Sequence, residues 1–518
     1  MISKKILFFM LLASSAIQAQ LADSLFLNEN NFYGPIEDKL WENPLFYTSQ
    51  KLSDFTQTQI DFGQKDLNFK RVQTAEKVTE YNFSTKGIFN IQPKLRLFGE
   101  FLFNRTFEKN LGYNFTSQRT ENQNVLNPNY FYAPRKGDWE IQNYHLKGGF
   151  SYQFNSNLLL ATTAFYENGK NFRKDDPRPE IESSNYGGNI HLGYAYGNHK
   201  LFVLGGMAQK TEKSSIIYVD DTKNAPVYPE TFTRFSSGYG RIIFNSSYTA
   251  NIFRTVDKNF GAGYQFQNNR NSIGISYKYN KSMENFYGRD GRGKVYIDED
   301  LIQFKYKVVS HFTNLNYYYD GEKLDYKLDF KYNKNQGDNF SVAERGQNYR
   351  MNQEFASLYG GIIKKENNRV LYGLELGANY ARQKYADLLG STNKKVNSIE
   401  IEAILNRDVL ALQKNKLNLQ LSLKNYTAID EALLYIPASS NTSFADNVII
   451  PDHAFDATSK LQSKILAQHY ITLPKNRTLR IFANYATLIA LDKKYQEYVS
   501  DFETKYNTYL NAGISINY

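Results

Sequence analysis

Six histidines, His145, His191, His199, His311, His453 and His469, are the residues of this chain best suited to proton transfer or metal binding. No two stand at a metal-ligand spacing such as His-Glu-x-x-His, where one helical turn brings two imidazoles together. The absence of cysteine excludes thiolate metal sites, disulfides and thiol redox chemistry. No nucleophile motif is visible, so hydrolysis by a Ser–His pair would have to use His145 or His191. The run Tyr287-Gly288-Arg289-Asp290-Gly291-Arg292-Gly293-Lys294 is glycine-rich but lacks the spacing of a phosphate loop, and reads as a surface loop. A second group of residues could act through charge. Lys147, Lys305, Lys307, Lys327, Lys331 and Arg480, with Asp325 and Asp329, lie in segments of alternating polarity. Parity puts them, like His145 and His191, on the face opposite the apolar one. No cofactor is implied by any of these patterns.

Those segments have to be strands. Tyr144, Leu146, Gly148, Phe150, Tyr152 and Phe154 alternate with His145, Lys147, Gly149, Ser151 and Gln153. Beyond Asn155-Ser156-Asn157 the period of two resumes with Leu158, Leu160, Thr162, Ala164 and Tyr166. Strict alternation over such lengths describes a strand with a different solvent on each face. Similar short turns fall at Gln92-Pro93, Gly197-Asn198, Asn268-Asn269-Arg270, Asp320-Gly321, Glu366-Asn367-Asn368, Lys414-Asn415 and Lys475-Asn476. Asp320-Gly321 is the strongest of them, because Asp-Gly accepts the positive φ of a tight hairpin. The intervening connections are longer, roughly 108–140, 167–184, 211–236, 281–299 and 427–460. Residues 236–258 fit neither a loop nor a strand.

Composition agrees. Aromatics make up 15% of the 518 residues, yet total hydrophobic content is 41% and mean hydropathy is negative. No apolar run is long enough for a transmembrane helix, and a disordered chain would lack the aromatics. A membrane β-barrel fits, since each apolar residue is diluted by a polar neighbour facing inward. The expected fold is an all-β, antiparallel, up-and-down transmembrane barrel of about 18 strands (range 14–18), with short periplasmic turns and long extracellular loops. The barrel occupies 53–518.

Lys4 and Lys5 followed by the apolar stretch Ile6–Ala19 predict a secretory signal peptide, residues 1–19, cleaved before Gln20. With no Cys at that cut, a lipid anchor is excluded. Residues 20–52 show no sustained period and are expected to be an irregular segment in the periplasm or the lumen. Losing Lys4 and Lys5 reduces the formal net charge of +10 by two, a weak bias toward anionic lipid or solute.

At the other end Leu510, Ala512, Ile514, Ile516 and Tyr518 alternate up to the last residue. This resembles the terminal strand by which the bacterial barrel-assembly machinery recognises its substrates. With the Ala19-Gln20 cut, the Tyr- and Asn-rich strands, Leu40-Trp41-Glu42-Asn43-Pro44 and Lys136-Gly137-Asp138-Trp139, the chain resembles an uncharacterised outer-membrane β-barrel family of Bacteroidota. The resemblance implies the cell outer membrane and no established activity. A TonB-dependent receptor is disfavoured, because 20–52 is too short for its plug, and a fatty-acid transporter by the missing N-terminal hatch.

The expected function is a non-enzymatic channel or transport-associated barrel for unknown solutes. The inward cations would bias solute charge in an open lumen, or pair with Asp325 and Asp329 in a closed one. The alternatives are a plugged structural barrel that serves as a subunit of an envelope complex and, behind it, a surface hydrolase. Expected partners are outer-membrane lipid and lipopolysaccharide, the barrel-assembly machinery and an envelope protein; Asp298, Glu299 and Asp300 read as a solvated acidic loop, with contact to a divalent ion bridging lipopolysaccharide as the minor alternative. No nucleic acid is expected.

Overall fold

The computed structural model describes residues 43–45, 54–119, 127–219, 228–244, 250–366, 369–412, 414–436, 442–475, 477–498 and 506–518. Eighteen antiparallel strands, the first Phe55–Leu67 and the last Tyr506–Asn517, form one sheet. The last strand pairs with Arg477–Ala490 on one side and with the first strand on the other. Backbone bonds between Thr56 and Tyr518, 2.7 and 2.9 Å, finish that seam. The barrel is therefore closed and has no unpaired edge, the condition for a sheet to lie in hydrocarbon.

All eight short turns join strands at the end where the seam terminates. Their asparagines have a mechanical role. Asn155 Oδ1 accepts the Asn157 and Leu158 amides at 2.8 Å, and Asn268 Oδ1 accepts those of Arg270 and Asn271 at 2.9 and 2.7 Å. An Asx side chain thus stands in for the missing ladder partner. Gly197, at φ 56°, supplies the left-handed residue of its two-residue turn. Asp320-Gly321 behaves differently from expectation. Three residues separate the strands Ile302–Asp320 and Leu324–Ser341, Gly321 is not at positive φ, and its amide is held by Asp325 Oδ1 at 3.2 Å.

On the extracellular side the connections are less uniform than the sequence predicts. The expected loop 167–184 is mostly strand: Leu158–Arg173 and Arg178–Tyr196 run through it, leaving only 174–177 between them. Strands run 12 to 21 residues, whereas about 9–11 suffice to cross a bilayer. The excess projects outward as a rim whose outer face meets water, so polar residues appear there on both faces. Residues 236–258 resolve into the end of Arg234–Ser237, the strand Ile242–Phe244 and the start of the barrel strand Ala250–Gln267.

Faces alternate as closure requires. Leu146, Ile190, Leu201, Phe260, Ile275, Leu376, Ile401 and Ile514 lie exposed on the outside, while Ser151, Asp408, Asn418, Asn507 and Ser515 are buried on the inside. An apolar wall around a polar interior is what lipid outside and water inside select. The protein is an outer-membrane β-barrel.

The extracellular half of the interior holds a hydrophobic core. Trp139 on the wall, 2% exposed, packs against Phe115 of a connection folded inward, ring centres 5.8 Å apart, and the Arg119 guanidinium lies 4.5 Å over its ring. Trp139→Ala should cost about 3–5 kcal/mol through the cavity it leaves. The heat-modified gel shift of the folded barrel should move to lower temperature; an unchanged shift would mean that this core contributes nothing to the fold.

Candidate functional site

A plug made from the barrel's own connections packs into the extracellular mouth. Asn129–Tyr132, Arg234–Ser237 and Ile242–Phe244 form a three-stranded antiparallel sheet inside the mouth. Alternation within this small sheet splits its aromatics between two sides. Phe131 and Phe235, ring centres 4.8 Å apart, face one half of the wall, where Phe235 stacks on Phe286 at 4.9 Å. Tyr130, Tyr132 and Ile242 face the other half with Tyr239, against Tyr306, Tyr349 and Tyr385. The hairpin between the second and third strands requires Gly240, at φ 126°, because a Cβ there would come within 2.9 Å of the Gly390 carbonyl oxygen. Asp387, at the end of the strand Arg369–Asp387, accepts the Tyr239 and Arg241 amides at 2.7 and 3.0 Å, and Asn339 and Asn348 both donate to the Ser237 carbonyl at 3.0 Å.

Helical turns Thr442–Phe444, Ala445–Ile449 and Ile450–Ala457 complete the plug. Phe455 sits against Phe69 of the first extracellular connection at 4.7 Å, and Tyr495 meets Phe69 edge-on at 4.9 Å. An ion cluster lies beneath them. Asp456, 1% exposed, binds both Arg71 and Lys394, so three chain segments converge on one carboxylate. Asp452, one helical turn earlier, accepts the Val72 amide at 2.8 Å. Lys460 lies 3.9 Å over the Tyr426 ring and 4.3 Å over Phe455. This cluster fastens the helical turns to the wall and to the residue 68–76 connection.

The two acids sit in opposed regimes. Burial pushes Asp452 up to about 6. Asp456 is buried as deeply, but Arg71 and then Lys394 outweigh that and hold it below its ordinary value of 3.8. The contribution of Asp452 to stability is therefore full below pH 3.8 and lost as pH rises through about 6. That of Asp456 is present above pH 3.8 and lost as pH falls through its lowered value.

Below the plug, a cavity of about 750 Å³ reaches the short turn at Asn268, Asn269 and Arg270, hence the periplasmic end. Its polar wall includes His145, Lys147, Glu167, Asn185, Asn189 and His191. His145 Nδ1 meets Glu167 at 3.0 Å, and Asn185 donates to the same carboxylate at 2.7 Å. Part of the N-terminal segment lies here: Asn43 lines the cavity, and Leu45 is buried against Leu159, Ala161 and Phe202. The rest of 20–52 and the expected signal peptide, 1–19, fall outside the described residues.

The remaining charge candidates are dispersed. Asp325, fully buried, binds Lys365 at 2.8 Å, and Lys327 binds Glu375 at 2.6 Å in the same wall, with Asp329 beside them. These form a structural ion lattice between strands. Lys331 lines a separate cavity of about 430 Å³ with Arg71 and Asp456. Arg480 donates to Ser515 Oγ at 3.0 Å and Gln59 Oε1 at 2.7 Å, bridging the closing seam. Lys305 and Lys307 are not inward. Their neighbours Phe304 and Tyr306 pack into the plug core, which leaves both lysines on the outer face, where Lys307 pairs with Asp338 at 3.0 Å. They share parity with Leu315 and Tyr317; they are polar because the strand has left the bilayer at that height. Leu510, Ala512, Ile514, Ile516 and Tyr518 share the outward face of the seam strand, opposite buried Asn507 and Ser515.

The plug cluster was not among the sequence candidates. Its signal was present in aromatic runs inside connections, Tyr130-Phe131-Tyr132 above all, since a solvated loop has no use for three consecutive rings.

Fold and site define a plugged outer-membrane barrel. The chain belongs to the family of unknown function DUF6850, whose model matches residues 44–518. A comparison with curated proteins finds no match in sequence. Among solved structures the chain is similar to the siderophore receptor PiuA from Acinetobacter baumannii (11% identity, 90% of this chain and 82% of that one, TM-score 0.39). It is also similar to the copper transporter OprC (6%, 89% and 80%, TM-score 0.44) and to the unliganded ferric citrate transporter FecA (8%, 89% and 78%, TM-score 0.42).

Two variants separate the acids. Asp456→Ala removes the carboxylate that buried Arg71 and Lys394 share and should destabilise the plug by about 3–5 kcal/mol, read as proteolytic cleavage within the 442–457 turns of an otherwise intact barrel. Asp452→Asn should flatten the fall in plug stability between pH 4 and about 6. A variant that keeps the wild-type pH profile would show that Asp452 does not titrate there.

Proposed function

We propose that the protein is a gated, non-enzymatic transport barrel, closed at rest by its own extracellular connections. The observation that carries this reading is a lumen cavity of mixed polar and apolar lining that reaches the periplasmic turns and stops beneath a plug. The plug is fastened by its aromatic core and, at Asp387, Asp452 and Asp456, by charge pairs and backbone caps that can be exchanged for water or ligand. An 18-stranded wall encloses more space than wall side chains fill, and here inward loops use only the outer half. The cavity's amides, imidazoles and mixed charges suit a polar solute without strong charge preference. In the same reading residues 1–19 are a cleaved leader, the source is a member of the Bacteroidota, and Leu510 to Tyr518 direct assembly.

The buried Leu45 supports a second reading, in which the segment before the barrel occupies the lumen and the protein acts as a subunit beside another envelope protein. Reproducible co-purification of one partner from native membranes would favour it.

Planar-bilayer recording tests the gated reading. Wild-type protein should show rare or no openings, and Asp456→Ala/Arg71→Ala should raise the open fraction at least tenfold, the factor that about 1.4 kcal/mol corresponds to. Silence from both proteins at every voltage would sink the gated reading.

A further inference from the structure

The outward face of the rim carries a patch of cations with almost no acids. Lys258 and Lys281 stand directly opposite each other on the neighbouring strands Ala250–Gln267 and Asn271–Tyr287. Like charges in that relation oppose strand pairing. In another row, Arg254 and Lys305 flank Asn285 across three strands. Lys307 stands one outward position further along and pairs with Asp338 of the next strand, Leu324–Ser341; among their described residues the three cation-bearing strands carry no carboxylate on this face. Lys258 and Lys281 are exposed, and neither they nor Lys305 pair with a carboxylate among the described residues.

Elsewhere on the rim many outward cations have a carboxylate partner. Arg105 pairs with Glu140 at 2.6 Å, Lys77 with Asp66 at 3.5 Å, and Lys334 and Arg382 share Glu354 at 3.6 and 3.8 Å. Lys170 pairs with Glu180, and Lys395 with Asp430. Among the described residues, unpaired outward cations also occur singly, as at Lys109 and Lys384, but here they gather over three adjacent strands.

Its height identifies what could meet it. One outward position toward the bilayer from Lys258 is Phe260, 58% exposed, and the same step from Lys281 reaches Tyr279. His311 packs on Tyr279 at 5.5 Å and bonds the Tyr277 hydroxyl at 2.8 Å. Below them Ile273 and Ile275 face lipid. Aromatic rings of this kind mark the membrane–water interface, so Lys258 and Lys281 stand at headgroup level of the outer leaflet, with Arg254 and Lys305 two outward positions above them.

We propose that Arg254, Lys258, Lys281 and Lys305 form a docking site for the phosphates of lipopolysaccharide, with the ring belt beneath them against the glucosamine and upper acyl chains. Ammonium and guanidinium groups spread over three strands suit two separated phosphates, and a fixed anion relieves the Lys258–Lys281 opposition.

The test is lipid binding by full-length protein in detergent, read by thermophoresis. Wild type should bind bisphosphorylated lipid A well above its dephosphorylated form. Lys258→Ala/Lys281→Ala/Lys305→Ala should lose roughly a hundredfold in affinity, each surface cation contributing about tenfold or less. Lys170→Ala/Lys395→Ala, which removes cations from paired positions, should bind as wild type. Equal binding of phosphorylated and dephosphorylated lipid A by wild type overturns the proposal, even where the triple variant fails to fold. Wild-type affinity in a folded triple variant does so too. Equal affinity for phosphatidylglycerol, or competition by millimolar inorganic phosphate, would transfer the site to glycerophospholipid or free anion and also defeat it.

Discussion

Everything in this molecule follows from the need to leave no backbone amide or carbonyl unpaired in hydrocarbon. A flat sheet of these strands would expose two edges, each unsatisfied group costing several kcal/mol. Pairing Phe55–Leu67 with Tyr506–Asn517 removes both edges at once. Closure then forces alternation on every strand, and the eighteen strands set the width of the interior. Arg480, bridging Gln59 and Ser515 from inside, belongs to that seam and not to a solute path.

Width creates the second problem, an interior that side chains cannot fill. The protein solves it unevenly. At the extracellular end several connections fold inward and complete a buried aromatic core. Toward the periplasm the wall keeps its polar side chains solvated around a cavity. Asp456 is where these two regimes meet: it gathers Arg71 and Lys394 just under the core, at the depth where charge is most expensive to bury and most destabilising to leave single. A junction of that kind is firm while complete and weak once any member is removed, which suits an element that must stay shut and still be able to move.

Much of the barrel was legible in the sequence, because period two is a local signal. Each of the eight turns falls where Asn, Gly or Pro interrupts alternation, and the strand number follows from counting them. The plug was not legible in the same way. Which connections turn inward depends on contacts between Phe131, Phe235 and Phe286, residues far apart in the chain, and no local period encodes them. Lys305 and Lys307 mislead for a related reason. Parity separates two faces, but only height says whether the outer face meets lipid or water, and the rim extends beyond the bilayer. His145, Lys147 and His191 share one cavity because they lie at matching heights on nearby strands, Leu146 and Ile190 facing lipid on the other side.

The chain contains no cysteine, so a single introduced thiol reports without background whether the plug seals the cavity from outside. The most direct measurement is labelling of Asn189→Cys by a maleimide too bulky for general porins, applied to intact cells and to lysed cells, with Lys294→Cys on an extracellular connection as reference. A barrel shut by its own connections predicts labelling of Lys294→Cys in both and of Asn189→Cys only after lysis. Equal labelling of Asn189→Cys from outside intact cells would contradict the closed plug.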